Sequence, residues 1–538
     1  MCGIFCYVGD SIKPIYLQEN FSKIENRGPD YSVLQSIHNV QLGFHRLSIN
    51  DLSESGHQPF IHDEIYLICN GEIYNHKNLQ QKYNIQTKSE SDCEVILYMY
   101  QKFGFDETCR QLDGVFSLII YNSKSNKLFV GRDPYGVRPL FIGCNAYDEL
   151  FLSSEMKSIH DKTIYTKQFK PGHSLEIDLT NGNKIFRNYY DFTYKIDRLR
   201  ETDFILAGIK NKLISAVKKR LLSDRPIGAL LSGGLDSSLI AGIISRIYKD
   251  NNIKTEFNTF GIGIKGATDL EYSQRVADYI GSKHHQIVCT EEDFLNAIPK
   301  VIYSIESYDI TTVRASVGNY LVGKYIKENT DITVVFNGDG SDEQSGYYYL
   351  RNAPNEDDFQ QECMKLLREI HYFDVLRSDR SVSSQWSLEA RTPFLDKEFV
   401  KFYMTIDPKL KMYSENKIEK YLLRKAFEST NIIPKEVLWR PKEAFSDGCS
   451  SEKRSWHKII QEHVNELITD EEFYLNKDFF TFNPPKTKES YWYRKLFEGY
   501  YPHKSNVIPH FWLPNWSSEI DPSARELKSS LNKFENDL

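Results

Sequence analysis

The residue with the clearest chemical potential is a cysteine that directly follows the initiator methionine. Once Met1 is removed, Cys2 carries both a thiol and a free α-amine. An α-amine has a reference pKa of about 7.7–8.0, so it can take the thiol proton near neutral pH. Nucleophile and general base then lie on one residue, which suits acyl transfer through a covalent intermediate. A Met-Cys pair also arises by chance, so the prediction depends on the residues that follow.

Four short polar motifs follow Cys2, and each has a chemical and a structural interpretation. They occupy residues 26–30, 45–51, 70–75 and 91–94. Taken singly, Arg27 and Arg46 are typical of surface salt bridges, Asn70-Gly71 of a type I′ hairpin turn, and Asp92 of a helix cap. Taken together, in this order, they favour an active site built around Cys2.

With Cys2, these motifs resemble the glutaminase domain of class II amidotransferases. The resemblance implies that Cys2 attacks the side-chain amide of glutamine, with Asn70 and Gly71 supplying donors that stabilise the tetrahedral oxyanion. It also implies that Arg46 holds the α-carboxylate of glutamine and that Asp92 holds its α-ammonium. The full set of glutamine-binding residues implied in this way is Arg46, Leu47, Ser48, Ile49, Asn50, Asn70, Gly71, Glu72 and Asp92.

A second motif, at residues 232–238, reads Ser-Gly-Gly-Leu-Asp-Ser-Ser between an apolar run and a helical pattern. Glycines let a backbone approach a phosphate closely, and a helix N-terminus offers free N–H groups. A Walker A loop is excluded because GxxxxGK[ST] is absent. An ordinary strand–turn–helix corner with serine caps is the structural alternative. The whole string resembles the pyrophosphate loop of the ATP pyrophosphatase family, whose members adenylate a substrate and release pyrophosphate.

An acidic loop at residues 336–343 reads Phe-Asn-Gly-Asp-Gly-Ser-Asp-Glu and follows a predicted strand. In a doubly wound sheet both loops lie at the carboxyl ends of strands, where ligands bind. Asp236 and Asp342 are therefore candidate ligands of Mg²⁺, which uses few carboxylates together with phosphate oxygens. A solvated acidic turn is the structural alternative.

Three further segments, at 308–314, 386–396 and 439–448, extend the likeness over nearly the whole chain. The set resembles the glutamine-hydrolysing asparagine synthetase family, and segments 491–494, 511–516 and 521–525 are similar to its eukaryotic-type form. The resemblance implies ATP-dependent synthesis of L-asparagine from L-aspartate, using ammonia released from L-glutamine. It further implies a β-aspartyl-AMP intermediate, AMP, pyrophosphate and L-glutamate as products, and passage of ammonia through the protein interior.

The same resemblance assigns individual residues of the second site. It places ATP on Leu231, Ser232, Gly233, Gly234, Asp236, Ser237, Ile262, Asn337 and Gly338. Thr311 and Arg314 would handle aspartate or the intermediate, and Lys442 would place positive charge on pyrophosphate or the transition state. Asp339 occupies a position tied to adenylate formation and ammonia attack. Closely related forms carry Glu at this position and Ser at position 337; Asp339 keeps the charge but is one methylene shorter.

Two alternatives keep the folds and change the function. Adenylating relatives that close β-lactam rings use an internal amine and lack the cysteine nucleophile, so Cys2 with Arg46, Asn70 and Asp92 disfavours them. A glutamine-binding or storage protein is favoured only by the shortened Asp339. Pyrophosphate release in the presence of aspartate and ATP would discriminate both alternatives from asparagine synthesis.

The elements that must position these residues fall into two parts. In residues 1–190, short apolar runs alternate with turn-rich stretches. They lie at 3–8, 41–47, 65–69, 116–121, 127–130, 140–142 and 150–153, with a final hairpin at 174–182 and a helix at 93–103. The pattern predicts an α+β layered domain. The resemblance implies that it is an N-terminal nucleophile domain with stacked antiparallel sheets.

In the second part, predicted strands alternate with predicted helices. Residues 184–203 are polar and aromatic without periodicity and predict a linker, so we divide the chain into residues 1–190 and 191–538. Strands are then predicted at 227–231, 256–264, 285–289 and 332–336, and helices at 236–249, 270–280, 292–303 and 315–328. This alternation predicts right-handed βαβ units around a doubly wound parallel sheet. Further helices are predicted within 357–430 and 452–500.

Composition excludes several classes of protein. The net charge of −7 over 538 residues argues against a broad nucleic-acid surface. No apolar run is long enough to predict a membrane span, and the N-terminus lacks the pattern of a secretory signal. The nine cysteines are scattered without a CxxC pair, which predicts a reducing, cytoplasmic location rather than a disulfide framework. The oligomeric state is left open, with a homodimer as one candidate.

Overall fold

A computed structural model describes residues 1–413, 417–451, 453–517 and 521–523. The N-terminal domain contains two six-stranded antiparallel sheets, as the sequence predicts. Their strand orders are β10-β8-β9-β1-β3-β2 and β12-β11-β7-β6-β5-β4. The strands are β1 (Gly3–Val8), β2 (Tyr31–Ile37), β3 (Val40–Arg46), β4 (Phe60–His62), β5 (Ile65–Ile73), β6 (Gly114–Asn122), β7 (Lys127–Arg132), β8 (Phe141–Cys144), β9 (Leu150–Ser153), β10 (Tyr165–Gln168), β11 (His173–Asp178) and β12 (Lys184–Asn188).

The two sheets stack face to face, and helices cover their outer faces. The helices of this domain are α1 (Pro14–Ser22), α2 (His76–Tyr83), α3 (Val95–Phe103) and α4 (Phe105–Gln111). Because side chains of a strand alternate between faces, Ile68 points into the layer between the sheets while Leu67 packs toward α3. On the other sheet Phe5 packs against Phe21 of α1. The result is a four-layer α-β-β-α arrangement. The central strands are largely buried, whereas the edge strands β2, β10 and β12 keep exposed residues.

The sequence-based expectations for this domain are largely confirmed, with two corrections. Runs 3–8 and 150–153 are strands with the predicted bounds, and the helix predicted at 93–103 begins at Val95. The predicted linker 184–203 is wrong at its start, because residues 184–188 form β12 and pair with β11. Strands β2, β4 and β10 were not predicted. Edge strand β2 alternates half-buried and exposed residues, which leaves little apolar pattern to detect.

The C-terminal domain is built on a five-stranded parallel sheet of order β15-β14-β13-β16-β17. Its strands are β13 (Ile227–Leu230), β14 (Asn258–Ile264), β15 (Lys283–Cys289), β16 (Val334–Phe336) and β17 (Glu389–Arg391). The helices between them are α5 (Thr202–Lys219), α6 (Leu235–Asp250), α7 (Thr268–Ile280), α8 (Glu291–Ile305) and α9 (Ile310–Asn329). The first four strands and α6–α9 confirm the predicted alternation. Strand β17 was not predicted, since three residues with two charges carry no strand signal.

Shorter helices follow the sheet and close the domain. They are α10 (Asp342–Ser345), α11 (Glu356–Glu369), α12 (Asp374–Ser378), α13 (Lys397–Met404), α14 (Pro408–Lys411), α15 (Tyr421–Phe427), α16 (Lys435–Leu438), α17 (Phe445–Gly448), α18 (Trp456–Leu467), α19 (Asp470–Asn476) and α20 (Lys488–Tyr500). A π-helix, Asp379–Ser384, continues directly from α12. In the predicted C-terminal motif 521–525, residues 524 and 525 lie outside the described residues. No helix in the described part of the chain is long and apolar enough to cross a membrane.

The strand order reverses between β13 and β16, so the loops that follow these two strands open at the same edge of the sheet. The chain runs outward from β13 through β14 and β15, then returns to the other side of β13 to form β16. In open α/β sheets this switch point is where ligands bind. The Ser-Gly-Gly loop and the acidic loop both lie there, as the sequence predicts.

Six buried charged side chains lie where the two domains meet, and we call them the interdomain ion cluster. They are Arg27, Arg138, Glu155, Asp379, Glu389 and Arg391. Arg27 Nη1 lies 2.6 Å from Glu155 Oε1, and Arg391 Nε lies 2.7 Å from Glu389 Oε1. Arg138 bridges the set, at 3.6 Å from Asp379 Oδ1 and 3.5 Å from Glu389 Oε2. Unpaired buried charges are very costly, so this cluster strongly favours one arrangement of the domains.

Candidate active sites

Cys2 lies in the N-terminal domain close to its contact with the second, and we call the predicted glutamine residues near it the candidate pocket. Cys2 Sγ lies 3.8 Å from the carbonyl oxygen of Leu47, and burial raises the pKa of the thiol to about 11. A thiol of that pKa is protonated at neutral pH, so reaction requires a base. The amine of Met1 is itself fully buried beside Glu389, at 3.9 Å, and burial lowers its pKa.

Asn70 and Gly71 are not in a turn. They lie in the middle of β5, where Asn70 is opposite Ser117 and Gly71 opposite Phe116 of β6. Both polar side-chain atoms of Asn70 are buried, and neither has a hydrogen-bond partner among the described residues. A buried amide without partners is costly unless a ligand satisfies it. The hairpin-turn interpretation of Asn70-Gly71 is therefore wrong. The buried Asn70 amide suits a hydrogen-bond donor to an oxyanion.

Arg46 and Asp92 are also buried rather than exposed. Arg46 donates to the carbonyl oxygens of Ser53, at 2.6 Å, and Asp51. Asp92 does not cap α3; its Oδ2 accepts the backbone N–H of Ile73 at 2.5 Å. These contacts exclude the surface and cap interpretations.

Two neighbouring carboxylates share one amide in this pocket. Asn50 Nδ2 donates to Glu72 Oε2 at 2.6 Å and to Asp92 Oδ1 at 3.3 Å. Burial raises the pKa of both acids, and the neighbouring carboxylates Glu389 and Asp92 raise that of Glu72 further. A ligand ammonium group would stabilise their charged forms. The pocket therefore suits a ligand that carries an ammonium group.

The segment 47–50 connects the pocket to the C-terminal domain. Leu47 and Ile49 belong to an apolar cluster with residues of α5 and α6. The carbonyl of Ser48 accepts from Arg225 Nε at 2.9 Å, and that of Ile49 accepts the N–H of Asp224 at 2.9 Å. Three of the predicted pocket residues, Leu47, Ser48 and Ile49, therefore also join the two domains.

A cavity opens at the switch point, and we call it the switch-point cavity. The predicted residues that line it are Leu231, Ser232, Gly234, Asp236, Ser237, Ile262, Thr311, Asn337, Gly338, Asp339, Asp342 and Lys442. Gly233 lies behind the loop with φ +74°, where a Cβ would stand 2.5 Å from the backbone nitrogen of Ser273. Only glycine fits this position, so the loop geometry depends on it.

Two acids and two lysines meet in the cavity. Lys420 Nζ lies 2.6 Å from Asp236 Oδ2 and 2.7 Å from Asp342 Oδ1, and Lys442 Nζ lies 2.6 Å from Asp342 Oδ2. The lysines hold the pKa of Asp342 below its usual range, and the acids raise the pKa of Lys442. No group of three or more His, Cys, Asp or Glu among the described residues could hold a metal ion. Asp236 and Asp342 nevertheless fit Mg²⁺, which takes its other ligands from phosphates and water.

A second acidic group lies deeper in the cavity, around Asp339. Arg377 forms an ion pair with Asp374. The Tyr347 hydroxyl lies 3.1 Å from Glu343 Oε1 and 3.1 Å from Asp374 Oδ1. Burial raises the pKa of Asp339 and Glu343, and Arg377 opposes both shifts. One guanidinium among several acids suits a small zwitterionic ligand.

Arg314 does not reach this cavity. Its guanidinium donates to both carboxylate oxygens of Glu489, at 2.8 and 2.6 Å, and to both of Asp521, at 2.8 Å each. Thr311, one helical turn earlier on α9, does line the cavity, and its buried hydroxyl has no hydrogen-bond partner among the described residues. The structure therefore separates two residues that the sequence placed together.

Sequence reasoning missed many lining residues, among them Glu343, Tyr347, Arg377 and Lys420. Glu343 ends the acidic loop and could have been found there. Arg377 and Lys420 lie in helical or turn segments without any glycine-rich or acidic signature, so only the tertiary fold reveals them.

Comparison with known proteins gives two family matches. A model described as a glutamine amidotransferase domain matches residues 1–193, and one described as asparagine synthase matches residues 208–355 and 348–528. Asparagine synthetase [glutamine-hydrolyzing] from Cricetulus griseus is 41% identical over 555 residues, and that from Mus musculus is 42% identical over 559 residues. Both alignments cover 98% of this chain and 98% of the relative. A solved regulatory enzyme of purine biosynthesis superposes with a TM-score of 0.31 and 14% identity, over 53% of this chain and 80% of that one.

The close approach of the two loops in the cavity generates a prediction for Gly338→Ala. A Cβ here would lie 2.8 Å from Asp236 Cβ and 3.0 Å from the nitrogen of Ser237, so the Ser-Gly-Gly loop must move. We expect ATP binding, measured by calorimetry, to weaken at least about 10-fold, or about 1.4 kcal/mol. Gly499→Ala is the matched control, since its Cβ would meet nothing within 4 Å. Equal ATP affinity in both variants would contradict the assigned nucleotide site.

Proposed function

The chain belongs to the family of glutamine-hydrolysing asparagine synthetases, and from that premise we propose how its residues divide the reaction. The protein is an enzyme that makes asparagine from aspartate, driven by ATP and using glutamine as the nitrogen donor. We assign glutamine hydrolysis to residues 1–190 and asparagine formation to residues 191–538. The single observation that carries the first assignment is the buried Asn70 amide, which has no hydrogen-bond partner in the described part of the chain.

In the glutaminase half, the α-amine of Cys2 takes the thiol proton after Met1 is removed. The thiolate attacks the side-chain carbonyl of glutamine, the C–N bond breaks, and ammonia leaves with the transferred proton. Asn70 Nδ2 and the Gly71 N–H stabilise the oxyanion of each tetrahedral stage. Water then hydrolyses the thioester to glutamate and regenerates the thiol. Since burial disfavours the Cys2 thiolate, proton transfer and attack must occur close together.

Glutamine recognition uses opposite charges at its two α-substituents. Arg46 binds the α-carboxylate, while Asp92 and Glu72 bind the α-ammonium. Support comes from the raised pKa of both acids, because an ammonium ligand would offset the cost of their buried charge. Leu47, Ser48, Ile49 and Asn50 would form the adjoining wall.

In the synthetase half, the β-carboxylate of aspartate attacks the α-phosphorus of ATP and pyrophosphate leaves. Ammonia then attacks the β-aspartyl-AMP carbonyl and expels AMP. Lys442 and Lys420 neutralise phosphate charge, and Asp236 and Asp342 would hold Mg²⁺, which supplies further positive charge to the phosphates. The other residues of the switch-point cavity that the sequence assigns to ATP would contact the remaining phosphates and the adenosine.

Aspartate itself would bind at the deeper acidic group. Arg377 offers a guanidinium for a carboxylate, and Asp339, Glu343 and Asp374 surround the place for an ammonium group. We keep the expected role for Thr311, because it lines the same cavity and its hydroxyl has no hydrogen-bond partner among the residues described. Arg314 instead anchors α9 to Glu489 and Asp521.

Ammonia would pass between the sites through the interior, near the interdomain ion cluster that separates them. A cytoplasmic location and a homodimeric assembly complete the proposal. Support for a reducing location comes from the nine cysteines, which are scattered along the sequence without a CxxC pair.

Replacing the nucleophile tests the division into two sites. In Cys2→Ala we expect glutamine-dependent asparagine synthesis to fall at least about 10³-fold, because no covalent intermediate can form. Synthesis from added ammonium should stay within about twofold, since the sites are separate. The measurements are asparagine, AMP and pyrophosphate by chromatography. Loss of both reactions, or ADP in place of AMP, would contradict the proposal.

Two arginines of the synthetase half should behave differently when changed to glutamine. Arg377→Gln should raise the KM for aspartate about 10- to 100-fold, since a charge-assisted contact contributes about 1.5–3 kcal/mol. Arg314→Gln should leave this KM within about threefold and instead destabilise the protein by about 3–5 kcal/mol, because two buried acids lose their partner. Exposed Arg368→Gln is the control for both. A raised aspartate KM in Arg314→Gln with unchanged melting temperature would reverse the assignment.

A further inference from the structure

A residue of the synthetase half reaches the backbone of the glutaminase nucleophile through one intermediary. Arg27 Nε donates to the carbonyl oxygen of Cys2 at 3.0 Å. The other end of the same guanidinium lies 3.3 Å from Asp379 Oδ2 through both Nη1 and Nη2. Arg27 and Asp379 are 0% and 2% exposed, so water does not compete for these contacts.

We propose that Asp379 is a positioning residue for glutamine hydrolysis, which acts on Cys2 through Arg27. The inference rests on the proposed role of Cys2. Asp379 fixes the plane of the Arg27 guanidinium, and that plane aims Nε at the Cys2 carbonyl. The carbonyl in turn fixes the Cys2 backbone, from which both the thiol and the α-amine extend.

The second acid on Arg27 cannot replace this contact. Glu155 Oε1 touches only Nη1, at 2.6 Å, and its other oxygen pairs with Lys157 Nζ at 2.6 Å. Without Asp379, Nη2 would keep the sulfur of Met1, at 3.6 Å, and would lose that contact when Met1 is removed. Asp379 Oδ2, in contrast, lies at equal distance from both terminal nitrogens. Since the group is planar with donors in a fixed fork, holding both terminal nitrogens sets the direction of Nε–H.

The chain position of Asp379 gives this contact a functional setting. It begins the π-helix and lies two residues after Arg377, which lines the switch-point cavity. π-Helical turns often occur at functional sites. One short segment therefore lines the switch-point cavity through Arg377 and reaches the Cys2 backbone through Arg27. The glutaminase site is then complete only with the C-terminal domain in place.

The other charges around Asp379 determine how its removal should be tested. Arg138 Nη1 lies 3.6 Å from Asp379 Oδ1, and Glu389 balances the opposite end of Arg138 at 3.5 Å. Loss of the Asp379 charge leaves excess positive charge in a buried cluster, which lowers stability as well. The ammonium-dependent reaction of the same protein is therefore the internal standard for folding.

The central variant is Asp379→Asn, which keeps the shape and removes the charge. We expect kcat for glutamine hydrolysis to fall about 10- to 100-fold, since small misplacement of a nucleophile has effects of this size. The KM for glutamine should change less than about threefold, because Arg46, Glu72 and Asp92 are untouched, and ammonium-dependent synthesis should stay within about twofold. An equal fall of both reactions, or no fall of either, would overturn the proposal.

Glu306→Gln is the matched control. Glu306 is another buried interdomain carboxylate, which accepts the N–H groups of Met156 and Lys157 and pairs with Arg380 at 2.9 Å, without contacting Arg27. It should leave the kcat ratio of glutamine to ammonium unchanged within about twofold. A fall in that ratio equal to that of Asp379→Asn would show a general interface effect and overturn the proposal.

A double-mutant cycle tests the route through Arg27. If Asp379 acts only by orienting Arg27, adding Asp379→Asn to Arg27→Lys should cost less than about twofold further in glutaminase kcat. Additive losses would overturn the route. Asp379→Glu retains the charge and is the second test variant if Asp379→Asn does not fold. Its glutaminase kcat should fall at least about threefold through the displaced carboxylate, and an unchanged value would count against positioning.

Discussion

The buried pairing of Arg27, Arg138 and Arg391 with Glu155, Asp379 and Glu389 is the interaction on which the rest of the structure depends. Arginines 27 and 138 and Glu155 come from the N-terminal domain, and the other three come from the C-terminal domain. Each ion would cost several kcal/mol if it were left alone in the interior. The domains therefore cannot separate or slide without a large penalty, and the relative placement of the two sites follows from this constraint.

Both active sites are built on elements that carry this cluster. Strand β17, at the edge of the parallel sheet, supplies Glu389 and Arg391, and Arg391 Nη2 reaches Glu72 of the proposed glutamine pocket at 3.5 Å. The segment from Arg377 to Asp379 runs from the proposed aspartate subsite to Arg27. Apolar packing supports the same contact, because one continuous core contains Phe5 and Tyr7 of the first domain and Ile298 and Val317 of the second. The apolar core, the buried ion pairs and residues of both sites therefore meet at one interface.

How much the sequence could predict depends on whether a feature is local. The Cys2, Asn70-Gly71 and Ser-Gly-Gly motifs are short runs whose chemistry is visible without the fold. The loop position of the Ser-Gly-Gly motif follows from the apolar run before it, whereas Asn70-Gly71 lies beyond the predicted run 65–69 and inside β5. Arg314 was misplaced because its partners Glu489 and Asp521 lie about 175 to 207 residues away. Arg377, Lys420 and Asp379 were missed for the same reason, since each acts as a single charge brought in by tertiary packing. β17 and β12 were missed because strand pairing, rather than apolar pattern, defines them.

The central claim is that one interface joins the two sites into a single unit. It is tested most directly by tracing the amide nitrogen from glutamine to asparagine. Glutamine labelled with ¹⁵N in its amide is supplied with ATP and aspartate, in unlabelled ammonium at a concentration too low to support synthesis by Cys2→Ala. The account predicts that the asparagine amide carries the isotopic composition of the glutamine amide, because ammonia passes directly from Cys2 to the adenylate. Release of labelled ammonium into the solution without formation of asparagine would contradict it.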